Sequence, residues 1–443
     1  MSSGRVAVRQ ALALAVGTFV LYNANIREIS SADTIPARVL PSEVLESGRL
    51  DLDRLFRDWP TGAPLPYWVQ RVGPHHLSSY PLAPALLALP VYAGPVLLGA
   101  GNSWVVLNAL SKLAASLMAA LSVALVYLTA RGLGRQLGVG ESGAVATALV
   151  YAVATPTWAV SSQGLWGHAP AQLGLAMALW GLLRAETAPW AATFAGLGAG
   201  LMVASRPSTT LMAGVLAVFA LAHLRRRGVV FVLALGAVGV AVAGHNLATF
   251  GTLQGGYTEL HRAHAAHHGV PSAWSGSFLE GLLGVLVSPS RGLFVYAPVL
   301  LFPVAGLVLW VVRRRGGLLA GATAVTAVGV GTVAMFSVWW GGHSFGPRLV
   351  ADVLPALVLG LVPVWTSVWG SRPGRMLLLA AFAASIAVEA IGAFHFPSAR
   401  AVEWNTSPRN VDQAHDRLWD WRDPQLLRLL RNGPAAPGFR TVP

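Results

Sequence analysis

The stretch "NANIREISSADTIPARVLPSEVLESGRLDLDRLF" (residues 23–56) follows the first apolar run, and its reading decides the fold. Seven of the chain's 18 acidic residues lie between Glu28 and Asp58. Charge this dense does not belong in hydrocarbon, so the stretch marks a loop outside a membrane. The rest of the chain agrees. Of its 443 residues, 54% are hydrophobic and 11% charged, and the mean hydropathy is +0.58. Soluble domains carry about 25% charged residues. Apolar runs of roughly 18 residues or more recur along nearly the whole length, which reads as an all-α polytopic membrane protein.

The net charge of +13 would suggest nucleic acid in a soluble protein. Here the arginines sit in short clusters between apolar runs, as in cytoplasmic loops, and no nucleic-acid partner is expected. Arg5 and Arg9, Arg131 and Arg135, Arg184, the runs at 225–227 and 313–315, and Arg372 with Arg375 then share one side. The spans that achieve this run at 11–25, 104–130, 142–159, 169–184, 190–205, 208–224, 229–248, 293–312, 317–338, 349–369 and 376–395. They amount to about 11 transmembrane helices, within bounds of roughly 10–13.

One segment resists this scheme. "SSYPLAPALLALPVYAGPVLLGAG" (78–101) is apolar enough to span, but Pro81, Pro84, Pro90 and Pro95 interrupt it. Letting it span would reverse every later arginine cluster, so it is read as an interfacial or re-entrant element on the outer face. The domain reading is a transmembrane domain over 1–395, with a first outer loop at 26–103 carrying short interfacial helices. A short outer-face tail follows at 396–443. The first helix is read as uncleaved, because a cut after Ala24 would place Tyr22 where a small residue is required.

Absence of cysteine excludes disulfides, thiolate metal sites and cysteine nucleophiles. A phosphate-loop motif is also missing, and so is a dinucleotide fingerprint at a strand–helix junction. The unusual polar residues collect instead on the predicted outer loops. These are 26–103, "SSQGLWGHAP" (161–170), the 249–292 region with "HRAHAAHH" and "SPSRGLF", "WWGGHSFGPR" (339–348), and the tail.

A first helix, a long outer loop opening with an acid, and then "SSYPLAPALLALPVYA" resemble the GT-C superfamily of integral membrane glycosyltransferases. The likeness is greatest to bacterial relatives of protein O-mannosyltransferases and aminoarabinose transferases. "YAVATPTWAVSSQGLWGHAP", "SPSRGLFVYAPVLLFPVAGL" and "WWGGHSFGPRLVADVLP" resemble segments of the same group, in order along most of the chain. The departure is at the first motif, where many members pair two acids and this chain has Asp33 followed by Thr34.

The resemblance implies a GT-C-like fold and an enzyme of a bacterial-type plasma membrane, working on its extracytoplasmic side. It would move a sugar from a polyprenyl-phosphate donor to a lipid, glycan or protein acceptor, with inversion. Some members use a divalent cation and others do not, and a single acid points to none. Such chemistry needs a carboxylate to take the hydroxyl proton and cationic donors for the phosphate.

Asp33 is the candidate base, against the plainer reading of a helix cap. The candidates for substrate or phosphate contact are His75, His76, Lys112, His168, Arg291, His343 and Arg348. Arg348 runs against the positive-inside bias and needs an anionic partner, either a lipid phosphate or Asp352 one turn on. Lys112, the chain's sole lysine, lies within a span, where a charge defaults to function. Snorkelling to the headgroups is its alternative. Glu43 and Glu46 look like a solvated helix face. His261, His264 and His268 would share one helical face, but they lack a zinc-protease pattern, and no metal site is assigned. A transporter or lipid flippase is the competing class. It is opposed by the lack of an internal repeat and by spans nearly free of charge apart from Lys112 and Glu389.

Overall fold

Each of these spans is matched by helical structure in the computed structural model, which describes residues 3–60, 62–398 and 402–440. Among the described residues, seven helices are long and apolar enough to cross a membrane. They are Gly4–Asn23, Ala83–Ala100, Trp104–Leu137, Pro207–Leu224, Arg226–Phe250, Arg348–Gly370 and Arg372–His395. Shorter apolar helices cover Glu141–Val153, Trp190–Ser205, Phe278–Val287, Pro298–Val312 and Leu318–Ala334. His168–Ala185 packs among them. The architecture is an all-α polytopic bundle.

Helix Trp104–Leu137 is its axis. Ser103 caps the start with its side chain, and Gly138 ends it in the left-handed region at φ 70°. Its 34 residues extend about 50 Å at 1.5 Å per residue, well beyond a hydrocarbon core of about 30 Å. Helices His168–Ala185 and Trp190–Ser205 lie closest together, because glycines let their backbones touch. A Cβ on Gly174 would come within 2.6 Å of the Gly198 carbonyl oxygen, and one on Gly198 within 2.7 Å of that of Gly174.

The arginine-rich turns meet at one end of the bundle. Tyr127 donates to Gln10 at 2.5 Å, Arg131 pairs with Glu141 at 2.8 Å, and Arg227 donates to the Ala185 and Glu186 carbonyls at 2.6 and 2.8 Å. The predicted outer segments gather elsewhere, around the first loop and the tail.

Three features depart from the sequence reading. The first loop carries short helices, as expected, and adds a hairpin with which they pack as a unit. Helix Ile35–Ser47 and a hairpin of strands Val69–Val72 and His75–Ser78 enclose Val39, Leu40, Leu52, Phe56, Trp68, Val69 and Ala85. Next, Pro90 and Pro95 lie inside a helix instead of breaking it. By length and composition Ala83–Ala100 qualifies as a span. Lastly, "FLEGLLGVLV", read as part of an outer loop, is a helix packed against Leu318–Ala334.

The tail folds back onto the bundle, apart from 399–401 and 441–443, which lie outside the described residues. Helix Gln425–Asn432 packs on Arg372–His395. The Ala435 and Gly438 amides donate to the carbonyls of Phe394 and Ile26, each at 2.9 Å.

Candidate active site

After the first helix, the Ile29 amide donates to the Gln163 carbonyl at 2.9 Å, and Trp166 Nε1 donates to the Ile29 carbonyl at 3.0 Å. These bonds pin the start of the acidic loop to "SSQGLWGHAP". The turn Ala32–Thr34 is capped by Ser31, whose Oγ accepts the Asp33 amide at 3.3 Å. Capping is thus done by Ser31, and the Asp33 carboxylate turns elsewhere.

Asp33 Oδ1 accepts the Tyr67 hydroxyl at 2.5 Å, and Oδ2 pairs with Arg348 Nη1 at 3.1 Å. The Tyr80 hydroxyl lies nearby and helps to hold its charge. Burial raises the Asp33 carboxyl, but Arg348 and the hydrogen bonds outweigh burial and hold it below the usual carboxylate value. The side chain keeps 22% exposure, so the carboxylate is ionised and still reachable.

Arg348 is held on three sides. Nη2 donates to the Gly341 carbonyl at 2.8 Å, and the guanidinium lies 4.5 Å from the centre of the Trp166 ring. Gly341 and Gly342 have φ of +75° and +65°, a region open to glycine at no steric cost. Asp352 is not the partner of Arg348. It binds His168 Nδ1 at 2.8 Å and Arg206 Nε at 2.6 Å. Tyr257 is within electrostatic reach of Asp33, Arg206, Arg348 and Asp352, so the two ion-paired groups form one polar centre.

Sequence reasoning missed Arg206, Tyr67, Tyr80, Tyr257 and Trp166. Arg206 carried a usable signal, because an arginine in an outer turn breaks the positive-inside bias as Arg348 does. The tyrosines carried none.

The remaining candidates make their bonds to groups other than Asp33. His75 and His76 sit on the hairpin and bind Asp53 at 2.7 and 3.2 Å, and Phe56 stacks on His76. His343 binds Asn410 at 2.8 Å. Arg291 is 1% exposed and spends its donors on Trp340, Ser290, Gly342, Gln425 and Asn405. It fastens the tail to the 339–348 loop and offers no donor to a ligand. Lys112 is 1% exposed and donates to Gln163 Oε1, so it does not snorkel.

Glu43 is buried and pairs with Arg54 at 2.9 Å, so it is no solvated face. His261, His264 and His268 do lie on one helix, Tyr257–His268. Their rings pack against Trp274, Phe336 and Trp340 respectively. Among the described residues the one group spaced to hold a metal ion is Asp51, Asp53 and His75. Arg49 already pairs with both acids there, at 2.7 and 2.9 Å.

No family profile matches the chain, and no curated protein aligns with it. Solved structures do match. The oligosaccharyltransferase of Archaeoglobus fulgidus, tethered to an acceptor peptide containing the NVT sequon, aligns with a TM-score of 0.55 at 12% identity, over 94% of this chain and 59% of that one. An apo structure of the A. fulgidus oligosaccharyltransferase gives 0.50 at 13% identity, over 86% and 55%. The A. fulgidus oligosaccharyltransferase AglB with an inhibitory peptide and a dolichol-phosphate gives 0.47 at 12%, over 87% and 55%. This chain therefore spans somewhat over half the length of those proteins. In fold, this chain is similar to the A. fulgidus oligosaccharyltransferase.

Proposed function

We propose that this chain is a membrane glycosyltransferase, moving a sugar from a polyprenyl-phosphate-linked donor to an acceptor at the outer face of a plasma membrane. Asp33 is the general base. In the reaction the acceptor oxygen bonds to the anomeric carbon as the bond from that carbon to the lipid phosphate breaks, with inversion. The hydroxyl proton passes to Asp33, and the phosphate leaves as an anion. Arg348 and Arg206 are the cations that stabilise that anion. The site therefore binds a lipid-phosphate sugar and a hydroxyl acceptor of a lipid, glycan or protein.

The observation that carries this reading is the Asp33–Arg348 pair, 3.1 Å apart and partly open, within a GT-C fold. Proton acceptor and phosphate-binding cation stand side by side, as displacement at a glycosyl phosphate requires. A depressed carboxylate is a weak base. It suffices because the hydroxyl becomes acidic only as its new bond to carbon forms, with a good leaving group departing.

Sugar transfer from polyprenyl-phosphate donors, measured in membranes bearing wild type or Asp33→Asn, is the test. The variant should lose about 10²–10⁴-fold in rate, the usual worth of a general base. Equal turnover removes Asp33 from the mechanism. Absence of turnover with every donor, alongside lipid or solute translocation in proteoliposomes, favours the transporter class.

A further inference from the structure

On another part of the surface, the loop after the first helix and the folded-back tail enclose a cavity of about 470 Å³. Its wall includes Arg27, Glu28, Ser398, Asn432 and Arg440, with glycine, proline and alanine from 433–438. It shares no lining residue with the Asp33 centre. The volume is within the range of small-molecule sites, roughly 300–1,000 Å³.

Arg27 is the unusual group. It is 6% exposed, yet among the described residues its buried Nη2 has no hydrogen-bond partner. A buried guanidinium without an anion is costly, and structures rarely tolerate one without a use for it. A like charge makes matters worse. Burial, and after it the like charge of Arg440, push Arg27 down to about 10. Glu28 does not neutralise it, because its carboxylate is taken by Arg38 at 3.1 Å and by Ser30 and Ser111. The backbone is also strained to place it. Ile26, immediately before, has φ 49°, which a β-branched residue adopts only when the surroundings force it.

We infer that this cavity is an anion site, in which Arg27 and Arg440 bind the phosphate of a phosphorylated ligand. Two like-charged guanidiniums at one wall suit a phosphate monoester or diphosphate, whose charge would cancel both repulsion and desolvation. The ligand is either a lipid headgroup reaching in from the outer leaflet or a soluble phosphorylated molecule. The site is independent of sugar transfer, so failure of that reading leaves it standing.

Thermal unfolding of the full-length protein, with Arg27→Gln and Arg27→Lys, tests the inference. In phosphate-free detergent, Arg27→Gln should melt at or above the wild-type midpoint, because an unpaired buried cation has been removed. A clear fall would show that Arg27 has an internal partner and would overturn the proposal. Inorganic phosphate or pyrophosphate should raise the wild-type midpoint by about 3 °C at saturating concentration, Arg27→Lys by less, and Arg27→Gln not at all. A shift seen only in bilayers containing phosphatidic acid, a phosphate monoester, and absent in phosphatidylcholine assigns the site to a lipid headgroup. No shift from any of these anions, or equal shifts in wild type and Arg27→Gln, would defeat the inference.

Discussion

Asp33 is set by three neighbours, and each has a measurable share. Its carboxyl is lower in the folded protein than in the unfolded chain, so its contribution to stability is present above the ordinary value of about 4 and is lost as pH falls through the folded value. The transfer rate should therefore show no acid limb from Asp33 between neutrality and about pH 4. Replacing Tyr67 by Phe removes one hydrogen bond to the charged form. The acid limb should then move to higher pH, with a loss at neutral pH of no more than roughly tenfold, the scale of one such bond. A pH–rate profile of Tyr67→Phe that overlays wild type would show that the tyrosine does not tune the base.

Elements carry the next level. Arg291 binds three backbone carbonyls and the side chains of Gln425 and Asn405. Arg291→Met removes all five bonds; Gln425 Oε1 and the Gly342 carbonyl keep other donors, while each acceptor left unsatisfied costs about 1–3 kcal/mol. Limited proteolysis should then cut the tail beyond residue 395 much faster than in wild type, and an unchanged cleavage rate would deny Arg291 that role. At the tightest helix crossing, Gly198→Leu has nowhere to put its side chain, because Gly174 and Met177 already touch the position. Overpacking of this kind costs about 1–3 kcal/mol or more, so the detergent-solubilised variant should melt several degrees lower.

For the whole molecule, the order of helices was legible because hydrocarbon imposes a strong pattern, about 20 apolar residues per crossing with arginines on one side. The site was legible only in part. Asp33 and Arg348 stood out, one by position and the other by a charge on the unexpected side. The same rule says which face a residue occupies and nothing about which neighbour it meets there. His75, His76 and Arg291 shared the face with Asp33, but short-range packing gave them to Asp53 and to the tail. The hairpin escaped notice because "VQRVGPHHLS" is short and not strongly alternating. One chemical consequence holds for the centre as a whole. Asp33 and Asp352 are both engaged by arginine, so no open pair of carboxylates is left to seize a divalent ion. Transfer should accordingly be unchanged by a chelator, and its loss in EDTA with rescue by magnesium or manganese would reverse that account.

The distance along the chain from Asp33 to Arg348 has a consequence for biogenesis. The acid lies just after helix Gly4–Asn23, and its cation comes 315 residues later. While the intervening helices are made, Asp33 is without its counter-charge Arg348. A ribosome that stalls before residue 348 leaves an inserted bundle with no base–cation pair. The Asp33–Arg348 pair thus forms only after residue 348 has been made, and a chain cut short before it lacks the pair.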